Sequence, residues 1–479
     1  MLFTDPLFLF LFLPVLLGLY FGSPRALRNP LLLCASLLFY AWGEGRFLLV
    51  LALSVLINYC FGLAVGRAVS DARRRLWLRL GVAANLILLA LFKYAVFLIT
   101  NCNLVLARLH ATLPVPDIHL PVGISFFTFM GISYLVDIHW RRIEAEERFG
   151  LVALYLTLFP HLLAGPIVRY SEIAQGLVAR RTDPAGFAEG VRRFVVGLGK
   201  KMLVANTLAL TVDQVYATPA AGLTAGAAWL GAATYALQIY FDFSGYTDMA
   251  VGLARIFGFH FPENFDYPYT AQSAADFWRR WHITLVNWFR DYVFFPLSYR
   301  RPRRRMLFNL LLVFLLCGLW HGASWNFVVW GAAWGALLVL ERLEFGAWMA
   351  RRARAVRHAY LLLAVVTTGV FVRSPTLLQS LAFFKAMSGF AGAGAHGAAE
   401  YMNAELALAL AAAVLGSVPL VPWLRARLEA LAADFRGAHG AALGGVVALS
   451  EVAAVSLVLL ASAALSATGT YRPFIYFRF

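Results

Sequence analysis

The sequence predicts an all-α polytopic membrane protein, and three observations carry that prediction. Of 479 residues, 61% are hydrophobic and only 14% are charged, against about a quarter charged in an ordinary soluble domain. Apolar runs of the roughly 20 residues that span a bilayer follow one another along the whole chain, with only short charged interruptions. Those interruptions are arginine clusters, so the formal net charge of +16 reads as a set of topology signals and not as a nucleic-acid-binding face. No interval between runs is long enough for a soluble domain, and residues 1–479 read as a single transmembrane domain.

The start, MLFTDPLFLFLFLPVLLGLYF, has no basic residue before its apolar core and no small-residue cleavage site after it. It reads as a retained first span, not a signal peptide. Arg25 and Arg28 follow it; Arg67, Arg73, Arg74, Arg75 and Arg79 come two apolar runs later, and Arg141 and Arg142 two runs after that. With basic loops in the cytoplasm, this even spacing puts the N-terminus outside, together with the loop Thr100–Leu120. In YLTLFPHLLAGPIVRYSEI, Pro160 and Pro166 flank Gly165. Proline removes a backbone donor and clashes with the preceding turn, so a broken or re-entrant helix is expected. Such backbone is tolerated at membrane depth only inside protein or beside a water-filled cavity. Clusters at Arg300–Arg305, Arg342–Arg357 and Arg425–Arg436 again alternate with apolar runs, and Ser374–Glu400 reads as an outer amphipathic stretch. The last span, about Ala441–Leu465, exits outward, which places both termini outside. Cys34, Cys60, Cys102 and Cys317 show no metal or redox spacing and are expected to be buried free thiols. No internal repeat is present, which counts against an inverted-repeat transporter.

The stretch Asp276–Asn326 concentrates the candidate chemistry. His282 and His321 are each preceded by a tryptophan, Trp281 and Trp320, in otherwise apolar surroundings. A titratable side chain at membrane depth is costly, so two of them mark a reaction centre or a pathway. Read at helical period, DFWRRWHITLVNWFRDY puts Trp278, Trp281, His282, Leu285 and Phe289 on one face, with Arg280, Asn287 and Asp291 opposite. That predicts an amphipathic helix at the interface, with its tryptophans as belt anchors and His282 as either a hydrogen-bonded interior residue or a functional one. In CGLWHGASWNFVVWG, Gly318 and Gly322 flank His321 and permit close backbone approach. A neutral imidazole there suits a general base, its reference pKa of about 6.5 lying near working pH. Asn326 is placed to orient it or to donate to a developing oxyanion; a capped helix end with a structural histidine is the plainer alternative. Asp242 and Asp248, in YFDFSGYTDMAVGLARIFGFHFPENFDYPY, lack metal-ligand spacing and read as partners of interior arginines or as loop anchors before they read as catalytic. P-loop, GxSxG and HExxH patterns are absent, which argues against a serine or zinc hydrolase.

These blocks, together with LPVGISFFTFMGISYLVDIHW and LFPHLLAGPIVRY, resemble the signature segments of the membrane-bound O-acyltransferases, in particular the members serving O-acetylation of exported polysaccharides such as alginate. The resemblance implies a ring of roughly 11–13 transmembrane or re-entrant helices around a central funnel, with residues 276–326 as the catalytic core. It implies that His321 is the catalytic histidine and His282 a second histidine in the same channel. Trp278, Trp281, Trp320, Asp291, Asn326, Asp242 and Asp248 would line or support the funnel. It further implies acetyl-coenzyme A as acyl donor, with no permanently bound cofactor and no metal. The expected partners are an outer-face, SGNH-hydrolase-like acyltransferase, a polysaccharide acceptor and membrane lipid, at a bacterial inner membrane. The tail TGTYRPFIYFRF carries Tyr471, Phe474, Tyr476, Phe477 and Phe479, read from composition as an interfacial anchor. Its FIYFRF is similar to a C-terminal motif of the family and of the small partner in teichoic-acid D-alanylation, which implies Tyr476 as an acyl relay at the outer face. A proton-coupled transporter with a histidine relay and a non-catalytic export scaffold are the competing readings.

Overall fold

The computed structural model describes residues 1–392, 394–434, 438–468 and 474. Among the described residues the chain is helical almost throughout, with two isolated β-bridges and no longer strand. Among the described residues, six helical segments are long and apolar enough to cross a membrane, or up to eight if two bent pairs each count as one span. Two of the six, Arg25–Gly66 and Asp71–Leu109, run for 42 and 39 residues, about twice the length of one crossing. The first of them leaves helical geometry at Glu44 (φ −127°, ψ 37°). Three shorter apolar helices, Phe8–Gly22, Ile124–His139 and Leu377–Met387, complete the set. The protein is therefore an all-α, multi-pass membrane protein, as the hydropathy pattern predicts.

What is buried and what is not follows from lipid being the outer solvent. Leu49, Leu53 and Leu56 project from the surface of the helix Leu48–Gly66, where acyl chains replace a protein partner at no hydrophobic cost. For the same reason the thiols depart from expectation: Cys34, Cys60 and Cys102 are exposed and Cys317 alone is buried, because an apolar run in a membrane does not imply a protein interior. Leu377–Met387 buries Phe383 and Met387 and exposes Gln379 and Lys385 together with Leu378 and Leu381, so its outer face carries polar and apolar side chains side by side.

Two helices form the centre. Ile124–His139 is buried along nearly its whole length, and the 32-residue helix Ala225–Ile256 packs against Pro184–Gly199 through a seam of glycines. A Cβ on Gly197 would stand 2.5 Å from the Gly245 carbonyl, and one on Gly252 would stand 2.6 Å from the Gly190 carbonyl. Only glycine permits this approach, which exposes more backbone and side-chain surface to dispersion contact.

The expected broken helix is present. Phe149–Thr157 gives way to the single turn Phe159–Leu162 and then to extended chain before Tyr170–Ala179, and residues 151–168 are buried without interruption. The backbone groups freed by the break are met by side chains: the Phe159 N–H donates to Ser36 Oγ at 3.1 Å, the Tyr155 hydroxyl donates to the Val168 carbonyl at 3.1 Å, and His161 Nε2 donates to the Tyr155 carbonyl at 2.8 Å. This satisfies the rule that non-helical backbone at depth must find partners within the protein.

The two ends of the chain meet. Ser466 Oγ, at the end of the helix Ala438–Ala467, donates to the Thr4 carbonyl at 2.7 Å. Phe3 and Phe474 both pack on Tyr246 in the central helix, at 4.9 and 4.8 Å between ring centroids. Phe474 is 2% exposed and so is not a surface anchor: its ring buries in the interior, with the Lys201 ammonium 4.5 Å from its centroid in a cation–π contact. Tyr471, Tyr476, Phe477 and Phe479 lie outside the described residues.

Candidate active site

The continuous amphipathic helix expected over 276–292 is interrupted where its histidine stands. Ala274–Arg280 ends, Trp281 is extended (φ −102°, ψ 127°), His282 adopts the left-handed region (φ 45°, ψ 50°), and Ile283–Phe289 begins. A periodicity argument misses this because the cause is tertiary. The loop carrying Asn264 and Phe265 runs beside the break and replaces its lost helical bonds. The Asp266 N–H donates to the Arg280 carbonyl at 2.9 Å, the Ile283 N–H donates to the Asn264 carbonyl at 3.0 Å, and Phe265 bridges to Trp281. Nor is the segment interfacial, since Trp278, Trp281 and His282 are 3%, 7% and 0% exposed.

His321 is the last residue of the helix Arg303–His321, after which the chain turns back into Trp325–Glu341. Gly318 and Gly331 face each other across this hairpin. A Cβ on either would fall within 2.3 Å of a carbonyl oxygen of the other helix. The glycines thus admit a neighbouring helix, not a ligand, and the close hairpin fixes the position of His321. The rings of His282 and His321 are 6.4 Å apart between centroids, with Trp320 at 6.1 Å from the first and 4.9 Å from the second. That spacing lets one small hydroxyl or carbonyl group reach both imidazoles.

Two cavities touch His321. One, of about 60 Å³, is aromatic and includes Tyr235, Trp278, Trp281, Trp330 and Trp334 in its wall. The other, of about 70 Å³, is more polar and is bounded by Lys93, residues 120–126, Leu163 and Trp320. The predicted Trp278, Trp281 and Trp320 are therefore brought to His321. Other predicted residues are not. Asn326 spends its amide N–H groups on the Phe371 and Ser374 carbonyls at 3.1 and 2.7 Å, so it ties down the end of Arg354–Arg373 and does not orient His321, its place in the hairpin turning it away. Asp291 pairs with Arg169 and Arg290, both at 2.7 Å, and lines neither cavity. Asp248 pairs with Arg193 and Lys200, and Asp242 with the buried Lys201; these carboxylates neutralise interior cations, lysines included, where arginines alone were expected.

Sequence reading missed Asn264, which sets the proton of His282. Asn264 Oδ1 accepts from the Thr284 N–H at 3.1 Å and the Thr284 hydroxyl at 2.9 Å, and that hydroxyl in turn accepts from the Ile167 N–H at 2.9 Å. A backbone N–H needs an acceptor, so this atom is the amide oxygen. His282 Nδ1, 3.1 Å away, must then donate to it, and the tautomer so fixed leaves the basic lone pair on Nε2. The signal in the sequence was a lone asparagine in an aromatic, proline-rich loop of an apolar chain. Asn264→Ala is expected to lower activity by about tenfold, equivalent to one buried hydrogen bond of about 1.4 kcal/mol. In a double-mutant cycle it should add nothing to His282→Ala; additive losses in assays normalised to folded protein would show that Asn264 acts otherwise than through His282.

Three relatives share this chain's length or most of it. It is 38% identical to the probable alginate O-acetylase AlgI of Azotobacter vinelandii over 502 residues, covering 100% of both chains. It is 41% identical to the protein of the same name from Pseudomonas aeruginosa, over 81% of this chain and 75% of that one. It is 37% identical to the peptidoglycan O-acetyltransferase of Helicobacter pylori, over 71% of this chain and 70% of the other. A family model described as membrane-bound O-acyltransferase matches residues 37–372, a span that contains both histidines, Asn264 and the broken helix. The protein is an acyltransferase and belongs to the membrane-bound O-acyltransferase family.

Proposed function

We propose that the protein transfers an acetyl group from cytoplasmic acetyl-coenzyme A, across a bacterial inner membrane, for O-acetylation of an extracytoplasmic polysaccharide. The observation that carries this reading is the position of His321, buried between two cavities and one small group's width from a second histidine. Alginate is the polymer named for the Azotobacter and Pseudomonas relatives and peptidoglycan the one named for the Helicobacter relative; alginate is favoured here by the full-length match.

The chemistry requires little beyond positioning and a base, because a thioester is already activated. An acceptor hydroxyl oxygen attacks the acetyl carbonyl carbon while His321 takes the hydroxyl proton. The carbonyl electrons move to oxygen, the adduct collapses, the carbon–sulfur bond breaks and the thiol leaves with the proton. His282, its ring 6.4 Å from that of His321 between centroids, assists by holding the hydroxyl. The acceptor is the Tyr476 hydroxyl, which then hands the acetyl group to an outer-face, SGNH-hydrolase-like partner for delivery to the polymer. Support for the tail comes from Phe474, which stands in the interior two residues before Tyr476. Both termini are outside, a placement supported by the arginine pattern and by the contact of Ser466 with Thr4.

The test is a sided transfer assay on the full chain in lipid nanodiscs with labelled acetyl-coenzyme A. Label bound to protein and release of free coenzyme A are the expected result. Neither label nor coenzyme A release, from protein shown to be folded, would overturn the donor assignment and favour a transporter or a scaffold.

A further inference from the structure

The protein has four lysines among 41 basic residues, and three stand within helical segments long and apolar enough to cross a membrane. Two of these are neutralised: Lys200 pairs with Asp248 at 2.7 Å, and Lys201 with Asp242. Lys93 is different. Its ammonium meets only neutral oxygens among the described residues, the Trp320 and His321 carbonyls at 2.5 and 3.4 Å and Ser125 Oγ at 3.3 Å, with the Trp320 ring 5.7 Å away. A cation held at membrane depth without a carboxylate is expensive and marks function. The helix also deforms to place it, widening into a π turn over Ala90–Tyr94, a distortion that recurs at functional sites.

Its surroundings point the same way. Lys93 shares a cavity of about 70 Å³ with His321, and the opening residues of the helix Ile124–His139 form another part of the wall. The positive end of that helix's dipole adds to the ammonium. The negative C-terminal end of Arg303–His321 offsets part of the lysine charge, which is the ordinary capping role; a cap alone, however, does not require the cation to border a cavity beside the candidate base.

We propose that the Lys93 cavity is the oxyanion site of the acyl transfer: the ammonium donates to the carbonyl oxygen of the acetyl group as that oxygen gains the electron pair from its carbon. The inference rests on the acyl-transfer reading above. As the acceptor oxygen bonds to the carbonyl carbon and His321 takes its proton, the charge appears on the oxygen nearest Lys93; on collapse the electron pair returns to carbon and the thiolate leaves with the proton. Lys93 gives up no proton in this cycle and its charge is constant. A preorganised donor of this kind contributes about 10²- to 10³-fold to the turnover rate.

The experiment compares wild type, Lys93→Gln and Lys93→Arg in nanodiscs, with acetyl-coenzyme A and with its dithioester analogue, in which the carbonyl oxygen is sulfur. With the oxygen donor, Lys93→Gln should lower kcat by about a hundredfold or more with KM for the donor changed little, and Lys93→Arg should recover part of the loss. With the sulfur donor, a weak hydrogen-bond acceptor, wild type and Lys93→Gln should differ by less than about tenfold. Equal losses with both donors, or losses that follow the amount of folded protein, would assign Lys93 to capping alone and overturn the proposal. So would a kcat for Lys93→Gln within about threefold of wild type. Failure of wild type itself to use acetyl-coenzyme A would instead remove the donor reading on which the inference stands.

Discussion

His321→Ala is expected to reduce acyl transfer by at least about a hundredfold, the contribution of a positioned general base, while insertion and abundance stay at wild-type levels. The fold should survive because the ring is not what holds this helix end in place. Lys93 holds it through the Trp320 and His321 carbonyls, and the Tyr94 hydroxyl donates to the Leu319 carbonyl at 2.9 Å. These are backbone acceptors that alanine keeps, and the Gly318–Gly331 contact is likewise untouched. The ring does fill space against Trp330, edge-on at 5.0 Å, so a modest loss of thermal stability is compatible with the result. The measurement is transfer from labelled acetyl-coenzyme A per mole of folded protein, with His321→Gln as the polar control. Transfer retained in both variants would move the base to His282, the second imidazole beside His321.

The sequence was most legible where one residue type at one place implies one physical fact. Apolar runs implied spans, and the prolines around Gly165 implied a broken helix; both are present. His321 at a glycine-flanked helix end was visible because a histidine is expensive there. What was not legible depended on segments distant in sequence. His282 read as part of a continuous helix because periodicity ignores the Asn264 loop, 18 residues upstream, that breaks it. Asn326 read as a neighbour of His321 from five residues away, but the hairpin turns its amide to carbonyls 45 and 48 residues downstream. Lys93 was overlooked among the arginine clusters although it stands alone in an apolar run, since its significance lies in a contact 227 residues distant. Buried thiols were inferred from apolar context, and three of four are exposed, because hydropathy cannot tell a lipid-facing position from a protein-facing one.

Tyr476→Phe is expected to abolish acetylation of the polymer with no loss of protein, and the expectation follows from where the tail enters the molecule. Phe474 packs edge-on against Tyr246. Three residues earlier on the same helix, within one turn and so on the same face, Phe243 packs edge-on against His282 at 4.7 Å. Phe474 thus meets the same face of the central helix that carries the contact with His282. A phenol is a suitable carrier: its ester is more activated than an alkyl ester, so onward transfer to a sugar hydroxyl runs downhill. The substitution keeps the aromatic ring and removes one oxygen, which separates the alternatives sharply. An anchor needs the ring and should be indifferent to the hydroxyl; a carrier needs the hydroxyl and should fail without it. Two quantities decide the matter in the same preparation, acetyl groups on the secreted polymer and label retained on the protein after incubation with labelled acetyl-coenzyme A. Loss of both, with Phe474 and the rest of the tail intact, is the relay result. Polymer acetylation that continues in Tyr476→Phe would leave the tail as an interior anchor and require the acetyl group to leave the His321 site on another acceptor.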